Sequence, residues 1–414
     1  MTAVPQPRDE LGTAQLRRGT LLGHWNSVVT SYYVLIGASS LLLVVGLVMV
    51  LSSSSVESLD ASGNPYAVFL DQAKYALLGL PIAIVLSRMP VRFFRAIAWP
   101  ALAAAMVFQS LIFVGLGCAS VGGNTNWVCL PGGVRAQPSE AIKLALALWL
   151  AAVLARKQGL LREWKHALVP AVPVAGFAIL VVLLGHDLGT AMVLILLVAG
   201  ALFVAGVPLR MFGVAAVLGA LATAALTIGN KNRVGRITSW LDDECSTSGA
   251  CYQTLHGGWG LASGGFGGLG LGQSREKWSY LPAAHNDFIF AILGEELGLV
   301  GTLIVLGLFA LLALAMIRVI RRHPDPFVKI ATGAILAWVI GQALINIAVV
   351  IGLAPVIGVP LPLVSAGGSA LIMTMAALGV VVAFARDEPG AAEALSARPS
   401  VVRRSLAVIG RVRG

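Results

Sequence analysis

The chain has 414 residues, of which 57% are hydrophobic and only 12% charged, about half the charged share of an ordinary soluble domain. That balance excludes a water-soluble globular protein and points to lipid as the solvent. The formal net charge of +10 would suggest nucleic acid in a soluble chain, but most of the excess lies in short loops and the tail, so it carries topology and no nucleic-acid partner is expected.

Residues 1–30 form a polar leading segment that includes Arg17 and Arg18. The first apolar run, at about 32–52, ends in Leu51-Ser52-Ser53 without a small-residue processing site, so it reads as a retained helix and not a cleaved signal peptide. Further runs follow at about 73–88, 96–117, 140–155, 167–185, 189–206, 211–229, 288–317, 328–353 and 369–385. Apolar runs of this kind read as membrane-crossing helices, because a helix satisfies its own backbone in lipid; a β-barrel would show short alternating segments. The expectation is an all-α, polytopic membrane protein of about ten transmembrane helices over residues 31–386. A long extracytoplasmic loop, 230–287, separates the seventh run from the eighth, and the tail from Asp387 to Gly414 is expected to be disordered or loosely bound to the inner surface.

Charge sets the orientation. Starting inside, the cytoplasmic loops carry Arg88, Arg92 and Arg95, then Arg156, Lys157, Arg162 and Lys165, then Arg210, then Arg318, Arg321, Arg322 and Lys329, and finally Arg386. The short loops on the other side, 53–72, 118–139, 186–188 and 354–368, hold only Arg135. Both termini are therefore expected in the cytoplasm. All four cysteines then fall outside, where disulfides persist; proximity within a loop favours Cys118 with Cys129 and Cys245 with Cys251, with inert buried cysteines as the alternative. The long outer loop is basic, with Lys231, Arg233, Arg236, Arg275 and Lys277, which an anionic substrate or lipid headgroup on the outer face explains most simply, with a solvated, lipid-contacting loop as the alternative.

Four clusters carry chemistry. Gln137-Pro138-Ser139-Glu140-Ala141-Ile142-Lys143 opens the fourth run, and Glu140 and Lys143 at i and i+3 share a helical face. An ionisable pair entering hydrocarbon marks a functional site or a structural ion pair. Gly185-His186-Asp187-Leu188-Gly189-Thr190 reads as a tight hairpin. The long loop ends in Tyr280-Leu281-Pro282-Ala283-Ala284-His285-Asn286-Asp287, and Asp287 stands where an apolar helix begins, placed to cap it or to act chemically. Leu361-Pro362-Leu363-Val364-Ser365-Ala366-Gly367-Gly368-Ser369 precedes the last run and is expected to line a cavity. The glycine-rich stretch Gly257–Gly272 lacks the spacing of an ATP phosphate cradle and reads as a pliable outer loop, or as one that lets backbone approach a ligand closely.

Taken together with Arg236-to-Trp240, the Glu295-Glu296-Leu297-Gly298 ending and Asn346, these motifs make the chain resemble the SEDS family (shape, elongation, division and sporulation) from about Ser31 to Arg386. The opening Thr30-Ser31-Tyr32-Tyr33 looks more like the family's division branch than its elongation branch, while Ala366-Gly367-Gly368-Ser369-Ala370 departs from the usual family pattern. The resemblance implies a peptidoglycan glycosyltransferase of the bacterial cytoplasmic membrane acting on lipid II. It implies that Asp287 is essential and that Glu140, Lys143, Arg236, Trp127 and Ser365 occupy positions important in the family. Gly367, Gly368, His285 and Asn346 complete the expected substrate-binding set. The implied partners are a monofunctional penicillin-binding transpeptidase, other division proteins and membrane lipids.

Joining sugars from a diphosphate-linked donor needs a base for the attacking hydroxyl and positive charge for the departing diphosphate. Asp287 is the expected base, with Arg236, Lys143 or a divalent cation (Mg²⁺ or Mn²⁺) at the diphosphate; Asp287 as the metal ligand is the other arrangement. A flippase for lipid-linked precursor and a scaffold without catalysis are the competing classes.

Overall fold

The structure is a computed structural model that describes residues 29–114, 117–118, 126–129, 135–161, 163–214, 217, 252–278, 280–282 and 284–396. Eight helices among these residues are long and apolar enough to cross a membrane. They are α1 (Thr30–Ser62), α2 (Ala67–Arg88), α3 (Val91–Ser110, extended by a 3₁₀ turn to Phe113), α4 (Pro138–Arg156), α7 (Leu188–Ala205), α9 (Ile289–Arg322), α10 (Pro326–Val350) and α11 (Gly368–Arg386). Shorter helices are α5 (Trp164–Leu168), α6 (Ala171–Leu184), α8 (Tyr252–Gly264) and α12 (Ala391–Ser396). A hairpin of two-residue strands, β1 (Val128–Cys129) and β2 (Arg135–Ala136), precedes α4. The chain is thus an all-α polytopic membrane protein, and the helices account for nine of the ten apolar runs. Most of the remaining run, 211–229, lies outside the described residues, as do Lys231, Arg233, Arg236, Cys245 and Cys251.

Three expectations are corrected by local chemistry. The first helix does not end at its serines but continues ten residues further, to Ser62. Ser54 and Ser62 return hydrogen bonds to the carbonyls of Val50 and Ser58, at 2.7 and 2.8 Å, so their hydroxyls are satisfied inside the helix. It stops at Gly63, whose φ of 70° is the left-handed cap. The 167–185 run is broken at Pro170, which offers no N–H and pushes Val169 into extended backbone (ψ 127°), so the run splits between the end of α5 and the 14 residues of α6. The tail does not leave the bundle at Asp387: Glu388 and Ala391 are buried and α12 follows.

α4 is the central pillar, buried along nearly its whole length and packed by α3, α7 and α10. Around it, α2 packs on α11, α1 on α9 and α7 on α10. Small residues let backbones touch where helices cross: a side chain at Gly200 of α7 would collide with Ala337 and Gly333 of α10, and one at Gly379 of α11 with the backbone of Ala83 in α2.

Contacts between distant loops sort the two ends of the bundle. At one end Arg95 bonds Asp325 at 2.6 Å, Arg386 reaches the carbonyl of Arg88 at 2.7 Å, and His323 meets Asp387 at 3.5 Å. Burial there pushes the His323 imidazole below its ordinary range, partly countered by Asp387. From this arginine-rich end α9 runs about 36 Å to a kink at Gly298 and continues beyond it to Ile289, and Asp287 stands just before that start.

Candidate active site

α9 starts at Ile289 with Phe288 at its N-cap position and no side-chain cap there, so capping does not account for Asp287, one residue earlier. The segment that carries it is held by main-chain bonds from two directions. Asn346 of α10 donates from Nδ2 to the carbonyl oxygens of Asp287 and Val359, at 2.7 and 2.8 Å. Ser365 donates from Oγ to the Asn286 carbonyl at 2.7 Å, and the Ala366 N–H donates to the His285 carbonyl at 2.9 Å. The Asp287 side chain, half-buried, lies against Gly358: a Cβ built there would sit 3.5 Å from Oδ2. Gly358 has φ +79°, a conformation that suits glycine. The His285 ring meets Glu57, on the extension of α1 that the serines permit, with Nδ1 to Oε2 at 3.0 Å.

The loop after α10 is an ordered platform. Ser365 Oγ accepts from the Leu361 N–H at 2.7 Å while it donates to Asn286. Gln72 of α2 spans the same turn, donating to the Ser365 carbonyl and accepting from the Gly367 N–H, both at 3.1 Å. Gly368 opens α11 with Tyr75 packed so closely that a side chain would collide with the ring. Ser365 therefore braces the segment that leads into Asp287, while Gly367 and Gly368 form the turn that Gln72 and Tyr75 hold.

Glu140 and Lys143 are a buried pair, 3% and 2% exposed, with Nζ to Oε2 at 2.8 Å. Lys143 also donates to Gln342 Oε1 at 3.2 Å and lies 4.9 Å from the centre of the Trp338 ring. Gln342 in turn donates to the Pro360 carbonyl at 2.8 Å. The expectation that Lys143 meets a diphosphate is corrected by this enclosure: its charge is matched by Glu140, and what it supports is the 359–360 backbone that Asn346 also holds. Lys277 is corrected in the same way, being 6% exposed and engaged by Glu296 and by the Gly272 carbonyl.

The glycine-rich stretch is helix and ordered turn, not a pliable loop. Gly298, at φ 66° and ψ −165°, kinks α9, and the freed backbone pairs with the stretch. Leu269 and Gly270 donate to the carbonyls of Glu295 and Glu296 at 2.9 and 3.0 Å, and Leu299 donates to Gly265 at 2.9 Å. The Glu295 carboxylate accepts from the Arg275 N–H at 2.9 Å and from the Ser274 hydroxyl; Glu296 accepts from Ser52 of α1 at 2.6 Å and from the Ser274 N–H at 3.3 Å.

Cys118 and Cys129 are joined, and the Cys118 N–H donates to the Trp127 carbonyl at 2.9 Å. Trp127 is thereby fixed on the hairpin that feeds Gln137 into α4. Gln137 reaches Asp187 at 2.8 Å, and Asp187 caps α7 through the Thr190 N–H at 2.9 Å, so the 185–190 turn is the tight hairpin its sequence implied.

Against protein-family models, residues 33–389 match the cell cycle protein family of FtsW, RodA and SpoVE. The chain belongs to this family. Among curated relatives, a "Probable peptidoglycan glycosyltransferase FtsW" of Mycobacterium tuberculosis is 41% identical over 407 residues, covering 97% of this chain and 76% of the relative. Stage V sporulation protein E of Bacillus subtilis is 34% identical over 84% of this chain and 94% of its own. Among solved structures, a chain of a peptidoglycan synthase complex coordinating polymerization and crosslinking matches with TM-score 0.71 and 28% identity, covering 86% of this chain and 97% of that one. RodA of Thermus thermophilus matches with TM-score 0.63 and 28% identity, over 86% and 96%.

Within this family member, sequence reasoning missed Gln342, Trp338, Gln72 and Glu57. The first two had a signal: Trp338, Gln342 and Asn346 recur at intervals of four in an otherwise apolar helix, which places one polar stripe on one face. Gln72 had none, since one glutamine near the start of an apolar run commonly faces the headgroups. Glu57 was hidden by the serines taken to end α1.

Proposed function

We propose that this chain is a peptidoglycan glycosyltransferase that polymerises lipid II at the outer face of the cytoplasmic membrane during cell division. Family membership and the curated relatives named FtsW support the activity and the division branch. The observation that carries the chemistry is the clamp on Asp287. Asn346 and Ser365 fix the backbone on either side of its α-carbon, at the end of the bundle away from the arginines. An aspartate held this way keeps its carboxylate at one place, and positioning of a base is a large part of what catalysis needs.

In the proposed reaction the Asp287 carboxylate accepts the proton of the acceptor sugar hydroxyl as that oxygen attacks the anomeric carbon, and the diphosphate departs with the bonding electrons. Diphosphate leaves without being protonated, so one carboxylate suffices where glycosidases use two. Cationic help falls to Arg236 or to Mg²⁺ or Mn²⁺. Among the described residues no three His, Cys, Asp or Glu gather as metal ligands, but a magnesium ion bound through one or two carboxylates and the substrate's own phosphates is a common arrangement. Asp287 fits that donor set, and the ion would supply charge to the leaving group. His285 and Glu57 flank the carboxylate on the α1 side and orient the segment.

Orientation follows from the arginines: the end with Arg88, Arg95, Arg318 and Arg386 faces the cytoplasm, with both termini. The solved relative from a synthase complex supports a transpeptidase partner. The test is polymerisation of purified lipid II by purified chain, alone and with its transpeptidase. Asp287→Asn is nearly isosteric and cannot act as a base, so polymer should fall by at least about a hundredfold while expression and folding persist. Robust polymer from that variant would remove the proposal; a scaffold would show no dependence on Asp287, and a flippase would move precursor between leaflets without making polymer.

A further inference from the structure

A groove of about 340 Å³ opens between α1, α2 and α11, a size within the usual range for small-ligand sites. At its arginine-side mouth stand Arg88 and Arg386, the last residues of α2 and α11. Arg386 donates to the Arg88 carbonyl, which fixes its guanidinium across the mouth and answers the negative end of α2. The first turn of α1 contributes Tyr32, and Ser39, Ser40 and Ser87 add hydroxyls along the wall. Beyond them the lining is apolar, through Ile36, Leu80 and Leu378, and among the described residues no carboxylate lines it.

The depth is informative. The lining on α11 runs from Arg386 to Met375 and on α1 from Tyr32 to Leu43, each about 16 Å of helix at 1.5 Å per residue. That is close to half of a hydrocarbon core of about 30 Å, the depth of one leaflet. A slot one leaflet deep, apolar inside, cationic at its mouth and open sideways to the bilayer has the shape and charge of a single lipid. Its floor is Leu363, held at φ 65° against Gly46 and two residues from the Ser365 that bonds Asn286.

We infer that this groove binds an anionic phospholipid of the arginine-side leaflet, with its phosphate at Arg88 and Arg386 and one acyl chain reaching Leu363. The carrier lipid of the proposed substrate is the wrong occupant, because a diphosphate presented to Asp287 would put its charge at the opposite end of the bundle. The inference rests on the cavity and its charges and does not depend on the glycosyltransferase activity.

Native mass spectrometry of the full chain in detergent, titrated with phosphatidylglycerol or phosphatidylcholine of matched acyl chains, tests it directly. The expected result is a preference for phosphatidylglycerol of about thirtyfold, the size expected of two interfacial arginines. Arg88→Gln with Arg386→Gln should abolish the preference, whereas Arg386→Lys should keep most of it. Ser39→Phe, which fills the slot and leaves the arginines in place, should weaken retention of both lipids. Equal binding of the two lipids by the unaltered chain, or a preference that survives the double arginine variant, would overturn the inference. Should the double variant unfold, Ser39→Phe decides alone, since undiminished lipid retention in it would exclude the groove.

Discussion

Two clusters of buried charge lie in the bundle and are neutralised by different means. Glu140 and Lys143 form a closed pair on one helix, one turn apart, with opposite charges in contact. Glu295 and Glu296 are neighbours of like charge, and they are tolerated because a folded-back loop aims its N–H groups, Ser274 and Lys277 at them while Ser52 of α1 adds a hydroxyl from the other side. The first cluster cancels its charge locally and uses Lys143, through Gln342, to brace the backbone beside Asp287. The second uses two carboxylates to hold the 265–278 segment to the kink in α9. Buried charge therefore marks two different jobs here: one keeps the site's floor in register, and the other closes the loop that leads into the site.

The comparison breaks most readily at Lys143. Lys143→Met leaves Glu140 buried without its counter-ion and should destabilise the protein by about 3–5 kcal/mol, seen as a lower melting temperature in detergent. Adding Glu140→Gln should restore most of that loss, because the double variant buries no charge. If the double variant were no more stable than the single, the pair would not be self-contained.

The next largest effect is expected at Glu296. Glu296→Gln removes a charged acceptor from Ser52 and Lys277 and should cost about 2–3 kcal/mol. Here a second change, Glu295→Gln, should add to the loss and not relieve it, since the two carboxylates bind separate donors. Increased proteolysis between 265 and 278 would report the loosened loop, and a protected loop would contradict the stapling role.

Asn346→Leu should have the smallest effect on stability, about 1–2 kcal/mol for two neutral hydrogen bonds, and a disproportionate effect on activity. A displaced Asp287 lowers polymer synthesis by about ten- to a hundredfold at unchanged expression. Activity that fell only in proportion to folded protein would make Asn346 an ordinary core residue.

Much of this was legible in the chain itself. Glu140 and Lys143 announced a shared face by spacing alone, and Asp287 stood out as a carboxylate at the edge of a long apolar run. Which main-chain atoms support them was not legible, because Gln72, Gln342 and Asn346 act on backbone carbonyls from 13 to 293 residues away. A carbonyl has no residue identity, so no pattern of side chains foretells which one a glutamine will find. The glycine-rich stretch was misjudged for a related reason: glycine permits both a loose loop and a tight turn, and only the kink at Gly298 selects the tight one.

The membrane class and the positions of most of the spanning segments were determined by the sequence alone, since lipid penalises any exposed polar backbone or charge by several kcal/mol. Tertiary structure alone decided which helix became the pillar, that Lys143 is enclosed and not open to substrate, and where the groove beneath Leu363 lies. Those outcomes depend on how helices pack against one another, where apolar faces are nearly equivalent and a few polar contacts tip the choice.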